Sequence, residues 1–164
     1  RRTVRDVIGN LPEPPQDGTD HPEYSLHRRD RLSERNLQRI RAIKEGQGRD
    51  DLPEELLTNC HKIDSSVIGF RSVYGRMAWD DVAPTITARF DSFTRGKFGH
   101  PTQDRSISLR EGALLQTFPA DFEFVGNKVD IARQIGNAVP PVMAEQIGKS
   151  IIECYERSGE DNVV

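Results

Sequence analysis

The clearest helix signal in the chain lies in Arg105-Ser-Ile-Ser-Leu-Arg-Glu-Gly-Ala-Leu-Leu-Gln-Thr-Phe-Pro119. Within it, Ser108 and Glu111 have the S-x-x-E spacing of a capping box, in which each residue satisfies a backbone N–H at the start of a helix. Pro119 cannot continue a helix. The stretch therefore predicts a helix over 108–118.

A second unusual stretch, Arg133-Gln-Ile-Gly-Asn-Ala-Val-Pro-Pro141, follows after a short gap. Proline is favoured at the first helical position, so the pair Pro140-Pro141 predicts a helix that runs to about Arg157. Apolar residues recur along it at helical spacing. We expect these to form its buried stripe: Met143, Ile147, Ile151, Cys154 and Tyr155.

The rest of the chain carries weaker signals. Prolines and glycines predict an extended loop over 9–25, and apolar spacing after Ser33 predicts a helix over 34–45 with an arginine-rich outer face. Pro53 predicts a short helix over about 53–59. β-Branched and aromatic residues within 66–90 predict two or three short antiparallel strands, followed by a long polar loop with a basic tip. The fold class expected is α+β.

Composition limits the class of protein. With 164 residues, 35% of them hydrophobic and 30% charged, the chain has room for one domain, or one small domain plus an appendage. No apolar run approaches the roughly 18 residues that a membrane span needs. Cys60 and Cys154 lack zinc-site or disulfide-framework spacing, which favours a cytoplasmic setting. The first residue is Arg1 rather than Met, so we expect that the chain begins inside a longer reading frame or was processed.

Charge is distributed unevenly. The net charge is -3, although residues 28–49 carry eight basic against three acidic residues, and residues 85–110 carry five against two. A freestanding nucleic-acid binder is more often basic overall, but two basic segments on an acidic chain indicate one charged face.

The two opening stretches together resemble the ninth and tenth motifs of the DNA cytosine-C5 methyltransferases, in order and in spacing. Tyr74-Gly-Arg-Met-Ala-Trp-Asp-Asp-Val-Ala-Pro-Thr-Ile-Thr87 is similar to the family's recognition-region pattern Y-x-R-x-x-W-D-x-P-A-P-T-I-T. The resemblance is firmest over 74–148. Two departures stand in the ninth motif, where Gly112 replaces the usual Ala and Leu114 the usual Arg.

The resemblance implies a division of the chain. Residues 1–104 would be the target-recognition region, 105–158 the motif helices and 159–164 a tail. The recognition lobe would be small and irregular. In the parent protein the C-terminal helices would complete a doubly wound α/β fold that uses S-adenosylmethionine.

What the chain lacks is equally informative. Neither cysteine follows a proline, so the family's Pro-Cys nucleophile motif is absent, as are its glycine-rich cofactor loop and its Glu-Asn-Val motif. The resemblance implies that the parent flips a cytosine out of the duplex and attacks it with that cysteine. We therefore expect no catalytic residue here, and no metal site.

For the cofactor, the resemblance points to Asn137 and Ala138, beside the methionine end of S-adenosylmethionine. Glycine at 136 allows close backbone approach, and an Asn amide both donates and accepts. The alternative is that Gly136-Asn137 only turns the chain into the last helix.

For DNA, the resemblance points to the Thr-Ile-Thr segment and the basic loop after it. A threonine can contact base edges or backbone, arginine can pair with guanine, and lysine suits phosphate. Ordinary strand residues and a solvated loop are the alternatives. The candidates are Thr85, Ile86, Thr87, Arg89, Arg95 and Lys97.

Other conspicuous side chains are expected to be structural. We favour a solvated face for Arg28, Arg29, Arg35 and Arg39. Trp79 is expected to be a buried anchor. The ninth-motif residues Arg105, Arg110, Glu111 and Gln116 are assigned to architecture and packing.

The function expected is that of a C-terminal methyltransferase portion, which recognises double-stranded DNA and completes the donor site. Its partner would be the N-terminal catalytic portion of the same protein or a separate subunit. A split methyltransferase, a catalytically dead DNA-binding module and a related RNA methyltransferase are the alternatives. The recognised DNA sequence, a link to restriction and the oligomeric state stay open.

Overall fold

A computed structural model describes residues 1–58 and 73–160, with side chains up to 158. Five helices carry the fold: α1 (Val4–Ile8), α2 (Glu34–Ala42), α3 (Leu109–Leu115), α4 (Lys128–Asn137) and α5 (Pro141–Glu160). Two 3₁₀ turns, Arg49–Asp51 and Glu54–Leu56, follow α2. Helix α3 packs against both α1 and α4, and α2 packs against the second 3₁₀ turn.

Helices α2, α3 and α5 lie where the sequence predicts them, with shorter or shifted ends. The Ser33 hydroxyl accepts the Asn36 N–H at the start of α2, and the capping box of α3 is formed by Ser108 and Glu111. The helix predicted over 53–59 is a single 3₁₀ turn in its described part; residue 59 lies outside the described residues.

Two of the helices, α1 and α4, have no counterpart among the helices predicted from the sequence. Helix α1 is five residues long, and Thr3 and Asp6 form a reciprocal capping box at its start. Asn127 caps the start of α4, and its side-chain oxygen accepts the N–H groups of Val129 and Asp130. It reaches Asn137, so Gly136 and Asn137, for which a simple turn was the alternative interpretation, are the helix's last residues.

The strand prediction is wrong over 73–90. Residues 73–90 form no strand and take part in one isolated bridge, between Arg76 and Gly99 of the following loop; Gly99 is bridged in turn to Ser106. Of the β-branched side chains here, Ile86 packs into the first core from irregular backbone, whereas Val82, Thr85 and Thr87 are exposed. The portion of the prediction over 66–72 lies outside the described residues.

Two hydrophobic clusters hold these segments together. The smaller cluster, here named the second core, contains the buried residues Ile40, Ile43, Leu52 and Phe93. The first core gathers side chains from both sides of the predicted boundary at 104/105, which therefore divides proposed roles rather than separate cores. Its buried members are Val4, Ile8, Met77, Ile86, Phe90, Phe98, Ile107, Leu109, Ala113, Ile131, Ala132 and Ile135.

Helix α5 differs from the other helices because, among the elements that the structure describes, it packs on no helix and no 3₁₀ turn. The prediction of a buried apolar stripe on α5 is wrong for the chain described here, because the side chains of the stripe are exposed. The exposed fractions run from 47% at Ile147 to 80% at Tyr155. Within 1–58 and 73–160, no helix combines the length and apolar character needed to cross a membrane.

Candidate nucleic-acid interface and cofactor turn

A buried ion pair fixes the start of the ninth-motif helix. Arg105 and Glu111 are each 1% exposed, and two guanidinium nitrogens of Arg105 donate to the two carboxylate oxygens of Glu111 at 2.7 Å. The same carboxylate accepts the Ser108 N–H at 2.6 Å. Burial raises the pKa of Glu111, but the hydrogen bonds and charge of Arg105 outweigh it and leave the pKa lowered. Glu111 is therefore ionised.

Two buried histidines flank this pair. Burial lowers the pKa of His27, and burial together with the charge of Arg105 lowers the pKa of His100 to about 4. His100 Nδ1 accepts the backbone N–H groups of Thr102 and Gln103, at 3.3 and 3.0 Å. Both rings are accordingly neutral near pH 7, and His100 serves as an acceptor that orders the loop.

Arg76 ties the same loop to α2, a role that the sequence reading missed. Its guanidinium is buried and lies where the C-terminal carbonyls of α2 need donors. It donates to the carbonyl oxygens of Ile40, Ile43, His100 and Gln103 and to the carboxylate of Asp104. The Y-x-R-x-x-W spacing singles out this residue as part of the family pattern but does not indicate its partners.

The structure divides the predicted Thr-Ile-Thr segment into inward and outward side chains. Ile86 is only 4% exposed and belongs to the first core, so its side chain packs and is not available to DNA. Thr85 and Thr87 on either side of it are exposed. Alternation about a buried isoleucine thus leaves the two threonines as the candidate DNA contacts.

The three predicted basic contacts lie on two different turns. Arg89 is half exposed, and its Nε approaches Asp91 at 3.4 Å. Arg95 is exposed at the tip of the loop, whereas the stem of Lys97 packs against Gly75. This loop was predicted to be polar, but two of its side chains, Phe93 and Phe98, are buried and apolar.

Arg89 also borders a small cavity of about 210 Å³. Arg31 and Lys128 lie on its wall, and Lys128 pairs with Asp30 at 2.7 Å and with Asp91 at 3.3 Å. The cavity is therefore lined by both signs of charge.

Gly136 brings the recognition segment and the tenth motif together. A Cβ at this position would lie 2.2 Å from the carbonyl carbon of Thr87 and 2.3 Å from the Ala88 nitrogen. Real Cβ atoms do not approach other atoms so closely, so only glycine fits there without moving backbone. The last turn of α4 therefore rests directly on the backbone that follows the Thr-Ile-Thr segment.

The ninth motif holds the chain between α4 and α5 in place. Gln116, predicted only to pack, donates from Nε2 to the carbonyl oxygen of Ala138 at 2.8 Å. Thr117 has φ of 69°, a left-handed conformation unusual for a non-glycine residue, and its hydroxyl accepts the Val142 N–H at 3.2 Å. The contact accounts for a threonine in this strained conformation, because glycine has no side-chain hydroxyl to accept the Val142 N–H.

Asn137 and Ala138, the predicted cofactor contacts, lie at this junction. Asn137 is the last residue of α4 and is exposed, and Val139 beyond it is 59% exposed. An exposed amide on a backbone fixed by Gln116 fits one wall of a site for a polar ligand with an amino-acid end. The residues present thus fit part of a donor site.

The basic face predicted on α2 is largely occupied by internal contacts. Arg39 is buried; it donates to the Leu56 carbonyl at 2.8 Å and lies 4.6 Å from the centre of the Tyr74 ring. Arg29 donates to the Asp104 carbonyl, and Arg35 donates to the Glu55 carbonyl. The preference for a solvated face is wrong for Arg39, because the helix ends nearby supply carbonyl acceptors.

Trp79, expected to be buried, is only partly so. Its ring meets the His100 ring edge-on at 5.2 Å, and Arg5 lies 5.4 Å from its centre. Among the residues described, no group of three or more His, Cys, Asp or Glu side chains could hold a metal ion.

The sequence matches those of known DNA methylases along nearly its whole length. The profile of the family described as C-5 cytosine-specific DNA methylase matches residues 1–153. Among relatives, the Type II methylase M.HgiDII of Herpetosiphon aurantiacus is 49% identical over 92% of this chain, which corresponds to 43% of that protein. DNA (cytosine-5)-methyltransferase 3 of Arabidopsis thaliana is 34% identical over 92% of this chain and 12% of its own length.

Type II methyltransferase M.BbvI of Brevibacillus brevis is 31% identical over 95% of this chain and 38% of its own length. The chain thus spans less than half the length of each of these relatives. The match of the family profile to 153 of 164 residues is decisive for the family itself. The chain belongs to the C-5 cytosine-specific DNA methylase family.

Proposed function

We propose that this chain is the C-terminal portion of a DNA cytosine-C5 methyltransferase. In this proposal its recognition segment contacts the target duplex and its tenth-motif turn completes the site for S-adenosylmethionine. The complete enzyme transfers a methyl group to C5 of a flipped cytosine through a cysteine nucleophile that this chain lacks. The doubly wound fold is completed when α5 packs against the catalytic portion.

The observation that carries the proposal is the contact between the last turn of α4 and the backbone at Thr87. It sets the candidate DNA contacts Thr85 and Thr87 beside the candidate donor contacts Asn137 and Ala138. A methyltransferase must bring its two substrates together, because transfer needs the reacting groups within contact distance.

S-adenosylmethionine supplies the methyl group when it is bound. Among this chain's residues, the exposed amide of Asn137 would hold the amino-acid end, and Gln116 would keep the Ala138 backbone in place. The N-terminus of α5 follows directly and favours a carboxylate nearby.

On the DNA side, Thr85, Thr87 and Arg89 would contact the duplex from one turn, and Arg95 and Lys97 from the next. Arginine offers a planar pair of donors to guanine, whereas the Lys97 ammonium is better suited to phosphate. The expected partner for the rest of the reaction is the N-terminal catalytic portion, in the same protein or as a subunit.

The test uses the full-length protein that contains this chain. Asn137→Ala should weaken binding of S-adenosylmethionine with little change in DNA affinity, and Lys97→Ala should reduce the dependence of DNA affinity on salt concentration by about one charge. Binding titrations measure both quantities. Unchanged donor affinity in the first variant together with an unchanged salt slope in the second would contradict the proposal.

A further inference from the structure

We propose that Gly136 is a positioning residue, which sets the DNA-contacting segment and the donor-contacting turn at one fixed separation. The contact couples the two sites, so that DNA bound at Thr85 and Thr87 strengthens donor binding at Asn137, and the reverse. This inference rests on the proposed function, and its test is designed to separate the two.

The first argument is the nature of the contact. The atoms closest to a Cβ on Gly136 are the carbonyl carbon and oxygen of Thr87 and the nitrogen of Ala88, all at 2.2–2.3 Å. These are backbone atoms, which cannot rotate away as the end of a side chain can. Any larger residue at 136 must therefore displace either α4 or the recognition segment.

The second argument is that the recognition side of the contact is held on both flanks. Ile86, just before it, is anchored in the first core, and Phe90, just after it, is fully buried there. The Phe90 N–H donates to the Thr87 carbonyl at 3.0 Å, which closes a turn around Ala88 and Arg89. A displacement of Thr87 therefore moves the whole turn, because both flanks of the turn are anchored in the core.

The third argument concerns the other side of the contact. Ile135 is fully buried beside Gly136, and the Ala138 carbonyl two residues further on is held by Gln116. Asn137 lies between these two fixed points. Packed elements of this kind shift as units, so a displacement of one surface moves the other.

Coupling between two binding sites is reciprocal, because each ligand must change the affinity for the other by the same factor. We expect DNA to tighten donor-site binding in the wild-type protein by a factor of about 5 to 150, the usual range for such coupling. Loss of the Gly136 contact should bring that factor close to 1.

The experiment compares Gly136→Ala with Gly148→Ala in the full-length protein. Gly148 lies within α5 and a Cβ there meets no atom within 4 Å, so this control makes the same chemical change in a helix without a collision. The dissociation constant of S-adenosylhomocysteine is measured with and without a plasmid DNA that the wild-type protein methylates. The KM for that DNA is measured alongside.

The expected result is specific to one glycine. Gly136→Ala should raise the KM for DNA by on the order of tenfold and abolish the effect of DNA on S-adenosylhomocysteine affinity, while Gly148→Ala, on the helix that faces the catalytic portion, should leave that effect of DNA in place. A merely structural role would reduce the amount of folded protein but would leave both constants of the folded fraction unaltered.

A measurement on the wild-type protein covers the case in which Gly136→Ala does not fold. Hydrogen exchange of a peptide covering residues 85–92 should slow when S-adenosylhomocysteine binds, because the Thr87–Phe90 turn is pressed against α4. Equal exchange with and without S-adenosylhomocysteine would overturn the inference.

Two further outcomes separate the inference from the proposed function. A wild-type protein that binds S-adenosylhomocysteine and methylates DNA, with a Gly136→Ala variant that matches the Gly148→Ala control, would overturn the inference alone. A wild-type protein that neither binds S-adenosylhomocysteine nor methylates DNA would overturn the proposed function and this inference with it.

Discussion

Helices α3 and α5 each begin at the sequence motif that predicted them, but the first is buried and the second is exposed. Five of the seven residues of α3 are buried, including Arg110 and Glu111. Helix α5 is almost three times as long, and its apolar side chains are exposed in the chain described here. Helix α3 is stabilised by contacts within this chain, whereas the apolar face of α5 is exposed.

The difference shows where each helix obtains its stability. Buried charges in α3 are tolerated because each finds a partner: Glu111 has Arg105, and Arg110 donates to the carbonyl of Ser25 at 2.9 Å and to that of Ala120 at 2.8 Å. An exposed apolar stripe of five or more side chains is instead typical of a surface that another partner covers. We assign that covering surface to the catalytic portion of the proposed enzyme.

The largest effect is expected from removing the buried charge of α3. Glu111→Gln leaves the Arg105 guanidinium buried without its counter-charge, which should lower the free energy of unfolding by about 3–5 kcal/mol. Urea unfolding measures it.

The matched control is Glu145→Gln in α5. Glu145 pairs with Lys149 at 2.6 Å on the exposed surface, where an ion pair of this kind contributes little to stability. We expect no measurable change in the unfolding midpoint. Equal destabilisation by the two variants would contradict the distinction between the two helices.

The next effect is a dependence of stability on pH, through His100. Its folded pKa of about 4 lies below the ordinary value of 6.5, so the unfolded chain binds the proton more tightly. The stabilisation is therefore complete above pH 6.5 and is lost as the pH falls towards 4, by about 3 kcal/mol in total. Urea midpoints at several pH values measure the loss.

His100→Asn is the variant to compare. The Asn side-chain oxygen can accept the N–H groups that His100 Nδ1 accepts, but it does not titrate. The variant should lose part of the pH dependence between 6.5 and 4. An unchanged curve would show that another group, such as His27, causes the loss.

A smaller effect is expected where α3 meets the recognition segment. A Cβ on Gly112 would lie 2.0 Å from Cε2 of Phe90, so Gly112→Ala should destabilise the protein by about 1–3 kcal/mol through overpacking. Adding Phe90→Leu should recover part of the loss. Gly148→Ala should instead stabilise α5 by up to about 1 kcal/mol, as measured by thermal unfolding. Destabilisation of equal size in both glycine variants would refute this account.

Local signals predicted much of the helical fold. The Ser108–Glu111 capping box and Pro140-Pro141 located α3 and α5, since these signals depend on residues close in sequence. The missed helices carried signals of the same kind, Thr3 with Asp6 and the side-chain cap of Asn127. For α4, the glycine at position 136 weakens the helical pattern near its end, so this helix was not predicted.

Contacts between distant residues could not be predicted in this way. Arg76 is buried because carbonyl groups from two separate segments converge on it, and nothing adjacent to it in sequence indicates that. The approach of Gly136 to Thr87 joins residues 49 positions apart. Gly112, which departs from the usual Ala of the ninth motif, is accounted for by the ring of Phe90 that fills the space.

The smallest effect on stability is expected from changing the exposed face of α5. Ile151 is 64% exposed, so Ile151→Glu should alter the free energy of unfolding of this chain by less than about 0.5 kcal/mol. In the full-length enzyme the same change would place a charge in a buried contact and should impair methyl transfer. A large loss of stability in the chain alone, by urea unfolding, would mean that α5 packs internally.

The most direct measurement gives the purified 164-residue chain only duplex DNA and S-adenosylmethionine, and assays 5-methylcytosine. We predict no product from the chain alone, and product once the N-terminal portion of the protein is added. Methylated cytosine formed by the chain alone would contradict the claim that it completes, and does not contain, the catalytic machinery.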